Sequence, residues 1–69
     1  SIDRGYALRT EEGALHIRTA KATDAQIYSV TGQLVHRTQI ARGETSIPLA
    51  KGVYIVTLDG QIRQKVVIR

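Results

Sequence analysis

The sequence predicts an all-β fold, an immunoglobulin-like β-sandwich of about seven short, mainly antiparallel strands. Short segments rich in β-branched residues recur along the chain, with turn residues between them roughly every 8–12 positions. No segment has an apolar stripe of helical period. The 69 residues include neither cysteine nor tryptophan, so we expect a core of aliphatic side chains without the disulfide and buried tryptophan of antibody domains.

The first strands are predicted from weak and then regular alternation. Residues 6–9 alternate weakly and predict a short first strand after a polar lead-in over residues 1–5. Residues 14–18 alternate clearly, because Leu15 and Ile17 fall on one face and polar residues on the other. This second segment is therefore predicted to be a half-buried strand.

A central hairpin is predicted between residue 25 and about residue 40, following a polar loop over residues 19–24. Its turn lies at Gly32, and the loop is either two or four residues long. We favour the longer loop, because it places Ile27 opposite Leu34 and pairs like with like.

A short extended segment over residues 45–49 follows a turn at residues 41–44. Pro48 has no backbone N–H and cannot donate to an interior ladder, which confines this segment to a sheet edge.

The carboxy-terminal segment predicts a hairpin around Asp59-Gly60, a dipeptide that readily takes positive φ. A three-residue loop places Tyr54 opposite Val66, whereas a two-residue loop would place Tyr54 opposite Lys65. We favour the three-residue loop, because a slip of one residue would turn every side chain to the other face. The predicted core side chains are Leu15, Ile17, Ile27, Leu34, Ile47, Leu49, Tyr54, Val56, Leu58, Val66 and Ile68.

The net charge of +4 lies entirely in the second half of the chain. Basic and acidic residues balance over residues 1–35, whereas residues 36–69 hold six basic and two acidic residues. Such an excess can steer an anionic partner, or it can protect edge strands from aggregation.

No constellation for chemistry emerges from the spacing, and we expect no enzymatic activity and no cofactor. His16 and His36 are predicted to face solvent, and the spacing supports neither a nucleophile with its orienting partner nor a pair of carboxylates. The chain also lacks clustered metal ligands. Nucleic acid is not expected as a partner, because single-strand binders need stacking aromatic residues and the three tyrosines are few.

Four segments in order carry a family likeness: residues 27–35 (IYSVTGQLV), 47–49 (IPL), 51–56 (KGVYIV) and the terminal residues 65–69 (KVVIR). Together they resemble the type A C-terminal sorting domain of the type IX secretion system, the Por secretion system of Bacteroidetes. Many members open with a proline-asparagine-proline box, and this chain has Asp3-Arg4-Gly5-Tyr6 before Leu15 instead.

The resemblance implies that residues 1–69 are a single sorting domain at the end of a larger protein, covalently linked to an N-terminal cargo domain. An outer-membrane translocon would recognise it in the periplasm, and a sortase component would remove it as the cargo reaches the cell surface or is secreted. By matching position, Gly32 and Gly52 correspond to turn glycines of the family, beside Gly60 of the last hairpin. The translocon recognition run corresponds to Lys65, Val66, Val67, Ile68 and Arg69.

Other interpretations remain open at this point. The alternative function is an immunoglobulin-like structural or adhesion module at the end of a surface protein. Exposed edge strands could also pair two chains into a dimer when the domain is isolated.

Overall fold

The computed structural model describes residues 5–69, so most of the predicted lead-in lies outside the described residues. Over the described range the chain forms seven strands and no helix. The strands are β1 (Tyr6–Glu11), β2 (Ala14–Thr19), β3 (Thr23–Ser29), β4 (Leu34–Ile40), β5 (Gly43–Pro48), β6 (Gly52–Leu58) and β7 (Ile62–Ile68).

The strands form two antiparallel sheets, one with the order β1-β2-β5 and one with the order β4-β3-β6-β7. This order corresponds to strands A-B-E and C′-C-F-G of the immunoglobulin pattern. The predicted all-β, immunoglobulin-like sandwich is therefore confirmed. Pro48 lies at the end of β5, an edge strand, as its missing N–H requires.

The core lies between the inner faces of the two sheets. Ten hydrophobic side chains are buried there, and most of the predicted core is confirmed, with Leu49 and Tyr54 partly buried against it. Ala25 and Ile40 are buried although they were not predicted. The buried set is Leu15, Ile17, Ala25, Ile27, Ile40, Ile47, Val56, Leu58, Val66 and Ile68.

The last hairpin has the predicted register. Leu58 lies opposite Ile62 and Tyr54 opposite Val66, which confirms the three-residue loop. Asp59 and Gly60 have φ values of 54° and 69°, a combination that side chains other than those of Gly, Asn and Asp rarely accept. This local chemistry is why the turn could be read from the sequence.

The predicted register of the central hairpin is wrong. Ile27 lies opposite His36, and Leu34 lies opposite Tyr28, because Val35 is an additional residue in β4 at a bulge. A bulge shifts all residues beyond it to the other face, so Leu34 leaves the core and is 53% exposed. The loop itself has three residues, since the Ser29 N–H donates to the carbonyl of Gln33 (2.8 Å).

Tyr54 ties β6 to the segment that precedes it. Its hydroxyl donates a hydrogen bond to the carbonyl oxygen of Ala50 at 2.7 Å, four residues upstream. A tyrosine in the F strand that bonds to upstream backbone is the tyrosine corner of immunoglobulin-like sandwiches. The contact therefore holds the crossover between the two sheets against the start of β6.

Candidate functional site

β7 is an edge strand, and this position determines what a partner can reach. Among the described residues it pairs with β6 alone, along its whole length from Ile62 to Ile68. On its other side an edge strand presents a row of unpaired N–H and C=O groups. The predicted recognition run over residues 65–69 lies at the end of this strand.

The side chains of the run divide between two faces. Val66 and Ile68 point into the core and are 8% and 2% exposed. Lys65, Val67 and Arg69 are exposed, and Val67 keeps 39% of its surface accessible. Three of the five predicted recognition residues can therefore contact a partner through their side chains, and two support the fold.

A groove of about 510 Å³ runs between β7 and β1, lined by residues 8–13 and 64–69. The two strands belong to different sheets, so the groove opens the edge of the sandwich. Tyr6 and Ile62, which begin the two strands, line a second pocket, whereas the groove is lined by later residues of both strands. β1 and β7 therefore run in the same direction. The groove is thus bounded by one edge strand from each sheet.

The outer face of the four-stranded sheet is basic. Within the described residues its strands carry one acidic side chain, Asp24, and this carboxylate pairs with Arg37 (3.3 Å). Arg63 and Lys65 lie on the outer face of β7, and Arg69 lies just past its end. None of the three has a carboxylate partner among the described contacts. The basic excess read from the sequence is thus concentrated at this edge.

The three-stranded sheet has a balanced outer face. Its strands carry two arginines and two glutamates, and Arg9 forms ion pairs with Glu11 and with Glu44 (2.9 Å). The hydrogen bond to Glu11, with Glu44 adding to it, raises the pKa of Arg9 above its usual value. His16 lies 3.8 Å from the same Glu44 carboxylate. This face therefore has no net charge to attract an anionic partner.

The three predicted turn glycines lie at or beside turns. Gly32 (φ 92°) closes the β3–β4 loop, where its N–H donates to the carbonyl of Ser29 at 3.0 Å. Gly60 is the second residue of the last turn, and Gly52 begins β6 opposite Ile68. Gly32 and Gly60 shape hairpin turns, whereas Gly52 follows the crossover from β5 to β6. All three lie outside the exposed part of the recognition run.

Two features of the surface were missed from the sequence. Arg63 lies on the same face as Lys65, and the period of two along a strand would have included it. The β3–β4 hairpin exposes Val30, Leu34 and Val35, which are 67%, 53% and 48% exposed. The bulge that turns Leu34 outward leaves no local mark in the sequence. His36, by contrast, is exposed as predicted.

From residue 5 onward, His, Asp and Glu residues do not gather in any group of three that could hold a metal ion. Over the same range, no helix has the length and apolar character needed to cross a membrane.

A family model described as a domain of unknown function (DUF6383) matches residues 4–68. No curated protein matches the chain. No solved structure matches it either.

Proposed function

The chain belongs to the DUF6383 family, and we propose that it serves as a C-terminal sorting domain for type IX secretion. In this proposal a translocon in the outer membrane recognises the domain from the periplasmic side and exports the cargo joined to its amino-terminal side. A sortase component then separates the domain and attaches the cargo to the cell surface, or the cargo is secreted. The domain performs no catalysis of its own.

The observation that carries the proposal is the last strand. β7 extends to Ile68, lies at a sheet edge, and turns Lys65, Val67 and Arg69 outward. A receptor strand added at such an edge forms main-chain hydrogen bonds, and the alternate side chains give selectivity. The terminal run that carries the family likeness thus combines a free backbone edge with an exposed, basic set of side chains.

A fusion experiment tests the proposal. The chain is joined to the carboxyl end of an unrelated periplasmic protein in a bacterium that has a type IX translocon, and surface exposure is measured by protease accessibility on intact cells. We expect the fusion to reach the surface. Deletion of residues 65–69 is a poor test, because it also removes the buried Val66 and Ile68 and would unfold the domain.

A double substitution separates recognition from folding. Lys65→Gln with Arg69→Gln removes two exposed charges from the edge and leaves the core intact. The matched control, Arg42→Gln with Lys51→Gln, removes two exposed charges from loops elsewhere in the second half. We expect export to fall in the first variant only. Equal export of both variants, or retention of the unmodified fusion in the periplasm, would contradict the proposal.

One observation favours the second candidate, a structural or adhesion module. The β3–β4 hairpin exposes three apolar side chains, Val30, Leu34 and Val35, which could pack against a neighbouring domain or a surface ligand. A module of this kind would not redirect an unrelated protein across the outer membrane. The fusion experiment therefore separates the two candidates.

A further inference from the structure

We propose that the partner of β7 is an extended strand whose acidic side chains lie opposite the outward cations and whose apolar side chains enter the groove beside β1. The inference rests on the proposed function, since it specifies the chemistry of the partner at the same strand.

The outer face of β7 determines the charge of the partner strand. Residues directly opposite one another on adjacent strands share a face, and opposite charges at such positions attract. A strand added beside β7 therefore places one of its residues against each of Arg63, Lys65 and Arg69. Among the described contacts these cations have no carboxylate partner, so acidic residues at these three positions complement the edge.

The inner face of β7 determines where the partner strand places apolar side chains. The residues opposite Val66 and Ile68 point the same way as these side chains, toward the groove of about 510 Å³ that Leu8 also lines. Apolar side chains there would cover surface that is otherwise open to water, which is favourable. Glu11 and Glu12 also line this groove, and Glu11 pairs with Arg9. The partner side chains on this face are apolar, and its acidic residues lie on the opposite face beside the cations, because side chains alternate along a strand.

The direction and the sequence of the partner strand follow from its pairing with β7. All strand pairs in the sandwich are antiparallel, and we assign the added strand the same direction against β7. The added strand begins with an acidic residue opposite Arg69, and three apolar residues follow it. An acidic residue then lies opposite Lys65, a polar residue comes next, and a last acidic residue lies opposite Arg63. The middle apolar residue lies against the exposed Val67.

A second copy of this chain is not the occupant. In a symmetric antiparallel pairing of two β7 strands, the outward cations Arg63, Lys65 and Arg69 of both copies would share one face. Like charges opposite one another destabilise a strand pair. The edge therefore favours a partner of the opposite charge.

Blocked synthetic peptides provide the probe. The acidic peptide is Glu-Val-Val-Val-Glu-Thr-Glu, and the control peptide has lysine in place of each glutamate. Each is titrated into the whole chain and followed by NMR shifts of the backbone amides. We expect the acidic peptide to shift the amides of β7 and not those of β4, and the lysine peptide to bind more weakly. Lys65→Gln with Arg69→Gln should weaken the acidic peptide by roughly two- to thirtyfold.

Charge reversal sharpens the test. The variant Lys65→Glu with Arg69→Glu should prefer the lysine peptide, and Arg42→Gln with Lys51→Gln should behave as the unmodified chain. Equal binding of both peptides, shifts at β4 in place of β7, or no shifts at millimolar acidic peptide would overturn the inference.

The outcome is separable from that of the proposed function. If export depends on Lys65 and Arg69 but the acidic peptide does not bind, the inference is wrong and the sorting role stands. If the peptide binds β7 but the unmodified fusion stays in the periplasm, the sorting role is wrong and the peptide site stands.

Discussion

Two adjacent valines in β7 give a matched test of the register on which the candidate site depends. Val66 is 8% exposed and packs in the core, whereas Val67 is 39% exposed on the outer face. Threonine has nearly the shape of valine but carries a hydroxyl in place of one methyl group. The same substitution at the two positions therefore compares a buried with an accessible hydroxyl in one strand.

The expected effects follow from burial. Val66→Thr places a hydroxyl among apolar side chains, which costs about 1–3 kcal/mol when no partner is available. For a domain of this size, a loss of about 2 kcal/mol lowers Tm by about 8–16 °C. Val67→Thr leaves its hydroxyl in contact with water and keeps a β-branched side chain, so the change should stay within about 0.5 kcal/mol.

Thermal and urea denaturation followed by far-ultraviolet circular dichroism measure both effects, and this probe suits a chain without tryptophan. In the alternative register, with a two-residue loop, the two faces of β7 would be exchanged relative to β6. A larger loss of stability in Val67→Thr than in Val66→Thr would therefore refute the arrangement. The assignment of Val67 to a recognition surface would then fail with it.

Two further predictions concern the tyrosine corner and the other edge of the four-stranded sheet. Tyr54→Phe removes the 2.7 Å bond to the carbonyl of Ala50 and should cost about 1 kcal/mol in urea denaturation. The control is Tyr28→Phe, because the Tyr28 hydroxyl bonds only to the side chain of Gln26 among the described contacts. This substitution should cost less than about 0.5 kcal/mol. Equal losses of stability in the two variants would mean that the hydrogen bond of the tyrosine corner adds no stability of its own. Self-association of the isolated domain, measured by sedimentation velocity over a concentration series, should involve β4, because this edge exposes Val35 beside Leu34 whereas β7 carries like charges. Val35→Lys should therefore reduce association and Val67→Lys should not, and the opposite result would assign the contact to β7.

The sequence alone determined the fold class and the last hairpin. Alternation along each strand is a local property, and Leu15 with Ile17 showed which face is buried without reference to any other strand. Asp59-Gly60 similarly carries its own backbone preference, so the turn and the pairing of Tyr54 with Val66 followed from neighbouring residues. The basic character of residues 65–69 is also evident from the sequence.

Only the tertiary structure decided how these elements are exposed. Leu34 is as apolar as Leu15, but a bulge at Val35 and the lack of a covering strand leave it in solvent. Whether β7 lies at an edge, and whether a groove separates it from β1, depends on strand order across the whole chain. The pattern of apolar and basic residues along a strand is local. Whether a side chain is covered depends on strands that are distant in sequence, and the local pattern does not show where those strands lie.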